Sequence, residues 1–210
     1  MRALGWLLPA LAMTGSASAK PPPRAVQIEA PASADWRRVA TVADRKRIRG
    51  WRTAFTTALA RARATGHGAE ITREGALLDP DAAQADVHIP AGDYRCRVIK
   101  LGAQSKGMGE YTAYPAFSCR IEDEGVVFSF AKLSGSQRPV GLIFGNDKFR
   151  QIFLGTMMLG DERRALDYGR DADRDMAGAV EKIGPGRWRL ILPYPRFESL
   201  MDVVELVPAG

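Results

Sequence analysis

Histidine and cysteine are scarce in this chain of 210 residues, which has two of each. The histidines, His67 and His88, show no H-x-x-x-H spacing and the cysteines form no C-x-x-C pair, so the sequence offers no ligand set for zinc. It also lacks a G-x-S-x-G nucleophile elbow, a G-x-x-x-x-G-K-[ST] phosphate loop and a G-x-G-x-x-G turn after a strand. We therefore predict no metal and no cofactor, and a pair of carboxylates stays open as a catalytic alternative.

No apolar run reaches the length of about 20 residues that a transmembrane helix needs. Arg2 precedes an apolar stretch over residues 3–13, and the small residues Ala17-Ser18-Ala19 follow it. This layout is typical of a secretory signal peptide, so we predict that residues 1–19 are removed and that the protein is exported, to the periplasm if the cell is Gram-negative. A buried N-terminal helix is the alternative. Residues 20–34, rich in proline, are predicted to form a tether.

The two cysteines are expected to form one disulfide, because exported chains fold in an oxidising compartment. Cys96 and Cys119 each lie in a stretch that alternates like a strand, DYRCRVIKLG and YPAFSCRIED. An antiparallel hairpin with Cys96 opposite Cys119 also sets Val98 opposite Phe117, which brings the two apolar faces into register. Such a bond would be structural, and two buried free thiols are the alternative.

Positive charge is concentrated in one segment. Ser33–Thr65 holds nine Lys/Arg and two Asp, whereas Gly66–Gly210 holds eighteen Lys/Arg and twenty-one Asp/Glu. One apolar stripe recurs every three or four residues, which predicts a single amphipathic helix over residues 35–66 that packs on the body: Ile48, Trp51, Phe55, Leu59 and Ala62. Its arginine face is either solvated or contacts an anionic envelope surface, through Arg45, Arg49 and Arg52. Nucleic acid is not an expected partner, because no binding module accompanies the charge.

From Asp93 onward, short alternating stretches are separated by Gly, Pro, Asn and Asp. The pattern predicts a mainly β domain over residues 93–210, an antiparallel meander of about eight strands, after a connecting loop at 67–92. Eight strands can close into a small barrel and remove exposed edges, and a two-sheet sandwich is the alternative. Trp188 is expected to face the interior. The predicted strands cover residues 94–101, 116–122, 126–133, 139–145, 150–159, 176–183, 187–193 and 203–208.

Three aspartates alternate in GRDADRDMAG, at Asp171, Asp173 and Asp175. Calcium loops begin in this way, but an EF-hand from Asp171 needs glycine where Met176 stands and glutamate where Lys182 stands. We interpret the stretch as a charged turn before a strand, with an irregular cation site as the alternative.

Several long strings of this sequence are distinctive when taken together: GDYRCRVIKLG, FSCRIEDEG, KLSGSQRPVG, FLGTMMLGDE, YGRDADRDMAG, GRWRLILPYPRFESLMDVVELVP and DWRRVATVADRKRIRGWRTAF. They resemble the bacterial domain of unknown function 4893 family, and the likeness extends from about Asp35 to Pro208. The resemblance implies an exported protein, and it carries over no catalytic residue.

These observations lead to two functional hypotheses. The first is an exported, non-enzymatic β-domain that binds a small molecule or an envelope component. The second is a carboxylate-dependent hydrolase of envelope or sugar material. A deep pocket with convergent carboxylates would favour the hydrolase, whereas an apolar cavity or a filled barrel would favour the binding domain.

Overall fold

A computed structural model describes residues 34–210 of the chain. The predicted signal peptide, residues 1–19, lies outside the described residues, and so does the predicted tether except for its last residue. Among the described residues, no helix is long and apolar enough to cross a membrane. Helices precede the strands: α1 (Trp36–Val39), α2 (Val42–Arg49), α3 (Trp51–Ala64), α4 (Gly68–Glu74) and a 3-10 helix (Gly75–Leu78).

Eight antiparallel strands follow one another around a closed barrel, in which the last strand pairs with the first. The predicted mainly β fold and barrel are confirmed, and the pairing of Val98 with Val204 across the closure excludes the sandwich. The strands are β1 (Gly92–Ala103), β2 (Tyr111–Asp123), β3 (Phe128–Lys132), β4 (Gln137–Phe144), β5 (Gln151–Leu159), β6 (Asp175–Gly184), β7 (Arg187–Pro193) and β8 (Ser199–Pro208).

The single helix expected over residues 35–66 is wrong, because local signals divide it into three. Thr41 is extended and its hydroxyl accepts a hydrogen bond from the Asp44 N–H, so it caps a new helix after α1 has ended. Gly50 then separates α2 from α3. The predicted connecting loop also holds helical structure, α4 at Gly68–Glu74.

The predicted apolar stripe does pack on the body. Phe55, Leu59 and Ala62 of α3 are buried in a core that lies between the helices and the outer wall of the barrel, and Ile48 and Trp51 are half-buried against it. A second core fills the inside of the barrel. The outer wall contributes Ile99, Leu101, Leu154, Ile191, Met201 and Val203, and the inside contributes Phe130, Phe153, Val180, Trp188, Leu190 and Leu206.

One end of the barrel is closed by residues 87–90, which we call the plug. Ile89 is fully buried in the inner core, and its N–H donates to Gln151 Oε1 at 3.2 Å. The indole N–H of Trp188 donates to a plug carbonyl at 3.1 Å, and the Tyr94 hydroxyl donates to another at 2.7 Å. Trp188 therefore faces the interior, as predicted, and any space for a ligand within the barrel lies toward the other end.

The disulfide between Cys96 and Cys119 is present, but the predicted register is wrong by two residues. Cys119 lies opposite Tyr94, and Cys96 lies opposite Phe117, so the bond runs diagonally between β1 and β2. Its Cα atoms are 5.9 Å apart, within the range of about 4.4–6.8 Å that disulfides span, so the bond does not require directly opposite cysteines. A shift of two keeps every side chain on its predicted face.

Two strands begin at least four residues earlier than their alternation predicts. β2 begins at Tyr111 and contains Pro115, where the pairing skips from Arg97–Ala116 to Ile99–Ala113. Proline is compatible with a strand at such a bulge, since it has no N–H to donate. β8 begins at Ser199, and the polar residues Ser199 and Asp202 interrupt the apolar alternation at its start.

Candidate functional site

The end of the barrel opposite the plug holds a cavity of about 260 Å³. Its walls are formed by inward-facing strand residues together with the turn between β3 and β4 and the connection between β7 and β8. The apolar wall includes Val98, Phe117, Met157, Met176, Leu192 and Val204, and the charged or polar wall includes Lys100, Lys132, Gln137, Glu198 and Asp202. A concave, largely apolar space with a few convergent polar groups is the usual form of a small-molecule site.

Two carboxylates of this cavity bind the same ammonium. Lys100 Nζ lies 3.1 Å from Asp202 Oδ2 and 2.9 Å from Glu198 Oε2, and the Ser199 hydroxyl donates to the other oxygen of Asp202. Burial raises the pKa of Asp202, and Lys100 opposes that rise. Burial would lower the pKa of Lys100, but Asp202 and Glu198 raise it above its ordinary value. This side of the cavity is therefore an ion-paired cluster in which two carboxylates share the Lys100 ammonium.

Lys132 presents a second ammonium to the cavity, and its environment differs. Lys132 Nζ donates to two backbone carbonyls, at 2.7 Å to Ser134 and 2.9 Å to Gln137, and it lies 3.7 Å from the ring centroid of Phe117. It forms no ion pair with a carboxylate of the described residues. Burial, with repulsion from neighbouring cations, lowers the pKa of Lys132 to about 8. The site thus holds one neutralised ammonium and one that is still without a counter-charge.

The turn between β3 and β4 is shaped around Lys132. Gly135 adopts a left-handed conformation, with φ of 89°, and a Cβ at this position would lie 2.7 Å from Lys132 Nζ. The backbone angle favours glycine here, and a Cβ would displace the Lys132 ammonium. The backbone carbonyls of Ser134 and Gln137, on either side of the turn, hold the ammonium in place.

Residues 194–198, between β7 and β8, form a strap across the mouth of the cavity. Tyr194 and Glu198, at its two ends, are non-glycine residues with left-handed φ of 50° and 71°. Such angles cost about 1–3 kcal/mol each and occur mostly where the surroundings enforce them. Gln137 Nε2 donates to Glu198 Oε1 at 3.0 Å, and Gln104 Nε2 donates to a strap carbonyl at 2.8 Å. The strap is thus fixed both to β4 and to the β1–β2 connection.

The three aspartates of the GRDADRDMAG stretch do not converge on one point. Asp171 accepts from the Asp173 N–H at 3.0 Å and lies 3.7 Å from Arg174, whereas Asp173 pairs with Arg196 of the strap at 2.6 Å. Asp175 is buried and accepts a backbone N–H of the same turn at 2.9 Å, and burial raises its pKa. Over residues 34–210, no group of three or more His, Cys, Asp or Glu side chains is placed to hold a metal ion. The geometry favours the charged-turn interpretation.

The three arginines predicted to contact an anionic surface do not all face the same way. Arg45 and Arg49 of α2 line a groove of about 490 Å³ between the helices and the outer wall of the barrel. Arg52 of α3 instead pairs with Asp81 at 2.8 Å and does not line that groove. The structure thus brings two of the three predicted residues together.

Sequence reasoning missed Lys100, Lys132 and Asp202 as site residues, although a signal for each is present. In β1, Tyr94, Cys96 and Val98 face inward, and Lys100 continues the same alternation onto the inner face. Lys132 follows Phe128 and Phe130 in the same way, and Asp202 precedes Val204 and Leu206. A charged residue in phase with the apolar face of a strand is expected to be buried. Burial of a charge has a large free-energy cost unless a partner pairs with it, so such a residue indicates an ion pair or a functional site.

A family model of a domain of unknown function, DUF4893, matches residues 36–206 of the chain. The matched range begins at the first residue of α1 and ends within β8, so it includes both the helices and nearly the whole barrel. No curated protein and no solved structure matches the chain.

Proposed function

This chain belongs to the DUF4893 family, a domain of unknown function, and we propose that its barrel binds a small amphipathic ligand at the open end. The apolar part of the ligand occupies the cavity, and one anionic group, such as a carboxylate, binds the Lys132 ammonium. The observation that carries the proposal is the cavity of about 260 Å³, which combines an apolar wall with a fixed ammonium that lacks a counter-charge.

The volume limits the size of the ligand. Pockets for drug-sized molecules enclose about 300–1,000 Å³, and the cavity here lies just below that range. Eight-stranded barrels are wide enough to hold one small ligand when side chains do not fill them. A short aliphatic chain or a single ring is therefore the class of molecule that fits.

The charges of the cavity specify the polar end of this ligand. Two ammonium groups and two carboxylates line the cavity, but both carboxylates bind Lys100. An ammonium has three N–H donors, and Lys132 uses two of them on carbonyl oxygens. A carboxylate on the ligand would accept the third and would form the ion pair that Lys132 lacks among the described residues, which a neutral hydroxyl does not.

The same contacts weigh against the hydrolase alternative. A general acid or base must reach the proton that it transfers, either directly or through one water. Glu198 and Asp202 converge on Lys100 instead, and each has a further bond, to Gln137 and Ser199 respectively. Carboxylates that are committed to a lysine in this way support a binding site rather than a catalytic pair.

We also propose that this binding takes place outside the cytoplasm. The signal-peptide pattern of residues 1–19 supports export, and the Cys96–Cys119 disulfide supports an oxidising compartment. A Gram-negative periplasm satisfies both. N-terminal sequencing of the protein from that compartment tests the proposal, and an intact Met1 would contradict cleavage.

Isothermal titration calorimetry tests the ligand class directly. The probes are short and medium-length saturated carboxylates, and the control for each is the alcohol of the same chain length. The wild-type protein is expected to bind the best carboxylate at least about tenfold more tightly than its alcohol, because a hydrogen bond to a charged group contributes about 1.5–3 kcal/mol. Native mass spectrometry of protein isolated from its own host then identifies the natural ligand.

Matched lysine variants separate the role of Lys132 from a general effect of charge. Lys132→Met is expected to reduce carboxylate binding to the level of the alcohol, whereas Lys148→Met, at an exposed position outside the cavity, is expected to bind as the wild type does. Equal binding of carboxylate and alcohol to the wild type, or no binding of either series, would contradict the proposal.

A further inference from the structure

A second concave surface lies on the outer wall of the barrel and shares no lining residue with the cavity. It is a groove of about 490 Å³ between α1, α2, the start of α3 and the β4–β5 connection. Four guanidinium groups line it, two of them from residues predicted to contact an anionic surface, Arg45 and Arg49, and two from residues not predicted to do so, Arg37 and Arg150. We call this surface the arginine groove.

The helical arginines of the groove are poorly neutralised. Arg45 Nη1 donates to the backbone carbonyl of Arg37 at 2.7 Å, which holds the two side by side. Arg37 Nη1 lies 3.9 Å from Asp35 Oδ1, and both side chains are exposed to solvent. Arg49 is exposed, and neither it nor Arg45 forms an ion pair with a carboxylate of residues 34–210. These three guanidiniums are therefore available to an external anion.

Arg150 adds a fourth positive group through an unusual arrangement. It pairs with Glu181, which is fully buried and also pairs with the fully buried Arg189 at 2.6 Å. Two guanidiniums thus share one carboxylate, which leaves one positive charge in excess. Because Arg150 is the member of this trio that lines the groove, it adds positive charge there. Asp147 is the carboxylate that lines the groove. Its Oδ1 accepts the backbone N–H groups of Phe149 and Arg150, and its Oδ2 accepts from Asn146 Nδ2.

Two tryptophans hold the guanidiniums in position. The Arg37 guanidinium lies 4.6 Å from the ring centroid of Trp36, and the Arg150 guanidinium lies 4.1 Å from that of Trp51. The Trp36 indole N–H donates to Asn146 Oδ1 at 3.0 Å, and Arg37 donates to the same oxygen at 3.1 Å. Stacking and shared hydrogen bonds reduce the entropy that these side chains would lose when they bind an anion.

We propose that the arginine groove binds a phosphate group carried by a lipid headgroup or by a soluble phosphorylated molecule. Guanidinium matches phosphate oxygens in pairs, so several arginines bind one phosphate well. A carboxylate offers only two oxygens. A phosphate monoester offers three charged oxygens, and a diester offers two charged and two ester oxygens, so a phosphate can be shared by more than two guanidiniums. The presence of four guanidiniums in one groove, two of which form no ion pair with a carboxylate of the described residues, therefore favours phosphate.

The test compares two double variants that lose the same positive charge. Arg45→Gln with Arg49→Gln removes two guanidiniums from the groove. Arg52→Gln with Arg63→Gln removes two from the neighbouring α3, outside the groove, and serves as the control. All positions are on helix surfaces, so circular dichroism is expected to show both proteins folded.

Each protein is measured in two arms. Co-sedimentation uses phosphatidylcholine vesicles with and without phosphatidylglycerol, and calorimetry uses inorganic pyrophosphate and glycerol 3-phosphate. The groove variant is expected to lose at least about tenfold in affinity, and the control less than about threefold. Binding to vesicles alone would identify a lipid headgroup as the source, and binding to the soluble probes would identify a soluble phosphate.

Three results would overturn the proposal. The first is that the wild type binds no probe in either arm. The second is that the control variant loses as much affinity as the groove variant, which would show that binding depends on the net charge of the protein and not on the groove. The third is that vesicle binding does not depend on phosphatidylglycerol and the soluble probes do not bind.

Discussion

The buried ammonium of Lys132 predicts that the protein becomes more stable as the pH rises above neutrality. Burial, with repulsion from Arg138 and Lys100, lowers the pKa of Lys132 from 10.5 to about 8 in the folded chain. Between these values the unfolded chain holds a proton that the folded chain has released. The free energy of unfolding rises with pH wherever the unfolded state binds more protons. The buried Lys132 ammonium therefore destabilises the folded protein fully at pH values below its folded pKa of about 8, and it no longer does so above its unfolded pKa of 10.5.

The size of the effect follows from the two pKa values. The full shift corresponds to about 3 kcal/mol, at about 1.4 kcal/mol per pKa unit, and about 2 kcal/mol of it falls between about pH 7.5 and about pH 9.5. Burial raises the pKa values of Tyr94 and Tyr111 from 10.0 to about 12, so these groups remove stability only at higher pH. The chosen interval therefore isolates Lys132.

Urea unfolding followed by tryptophan fluorescence at both pH values measures this difference. The wild type and Lys148→Met, an exposed control, are expected to gain about 2 kcal/mol as the pH rises, whereas Lys132→Met lacks this gain. The same gain in Lys132→Met as in the wild type would refute the assignment of the effect to this buried ammonium.

Three further predictions concern the disulfide, the β3–β4 turn and the ligand. Replacing Cys96 and Cys119 with alanine is expected to lower the free energy of unfolding by about 3 kcal/mol, since the bond closes a loop with a sequence separation of 23; an unchanged urea midpoint would contradict this. Gly135→Ala is expected to cost about 1 kcal/mol or more beyond Gly125→Ala, because both have positive φ but only Gly135 lies against Lys132; equal costs in urea unfolding would show that the contact is unimportant. Carboxylate affinity is expected to fall about tenfold per pH unit above about pH 8, as Lys132 loses its proton, and a pH-independent affinity in calorimetry would show that the ammonium is not the anion's partner.

The strands were predictable because alternation is a local property. A strand with one apolar and one polar face shows alternating apolar and polar residues, so a few consecutive residues are enough to predict it, wherever its partner strands lie. The same method predicted one helix where there are three, because a single apolar stripe continues across the breaks at Thr41 and Gly50. The capping side chain and the glycine, rather than the stripe, determine where the backbone leaves the helix.

The candidate site required the topology as well as the pattern. Lys100, Lys132 and Asp202 lie far apart along the chain, and each is visible in the sequence as a charge in phase with apolar neighbours. Their meeting at one end depends on the direction of each strand in the closed barrel, since Lys100 and Lys132 lie late in β1 and β3 and Asp202 lies early in β8. The register of β1 with β2 also escaped prediction, because a diagonal disulfide is compatible with more than one alignment.

The pairing of β8 with β1 makes the last strand of the barrel the partner of the first. One edge of β1 pairs with β2, to which the Cys96–Cys119 bond joins it, and the other edge pairs with Ser199–Pro208. An unpaired strand edge is a template for pairing with other chains. The ten residues of β8 therefore cover an edge of β1 at which a molecule that lacks β8 is expected to aggregate.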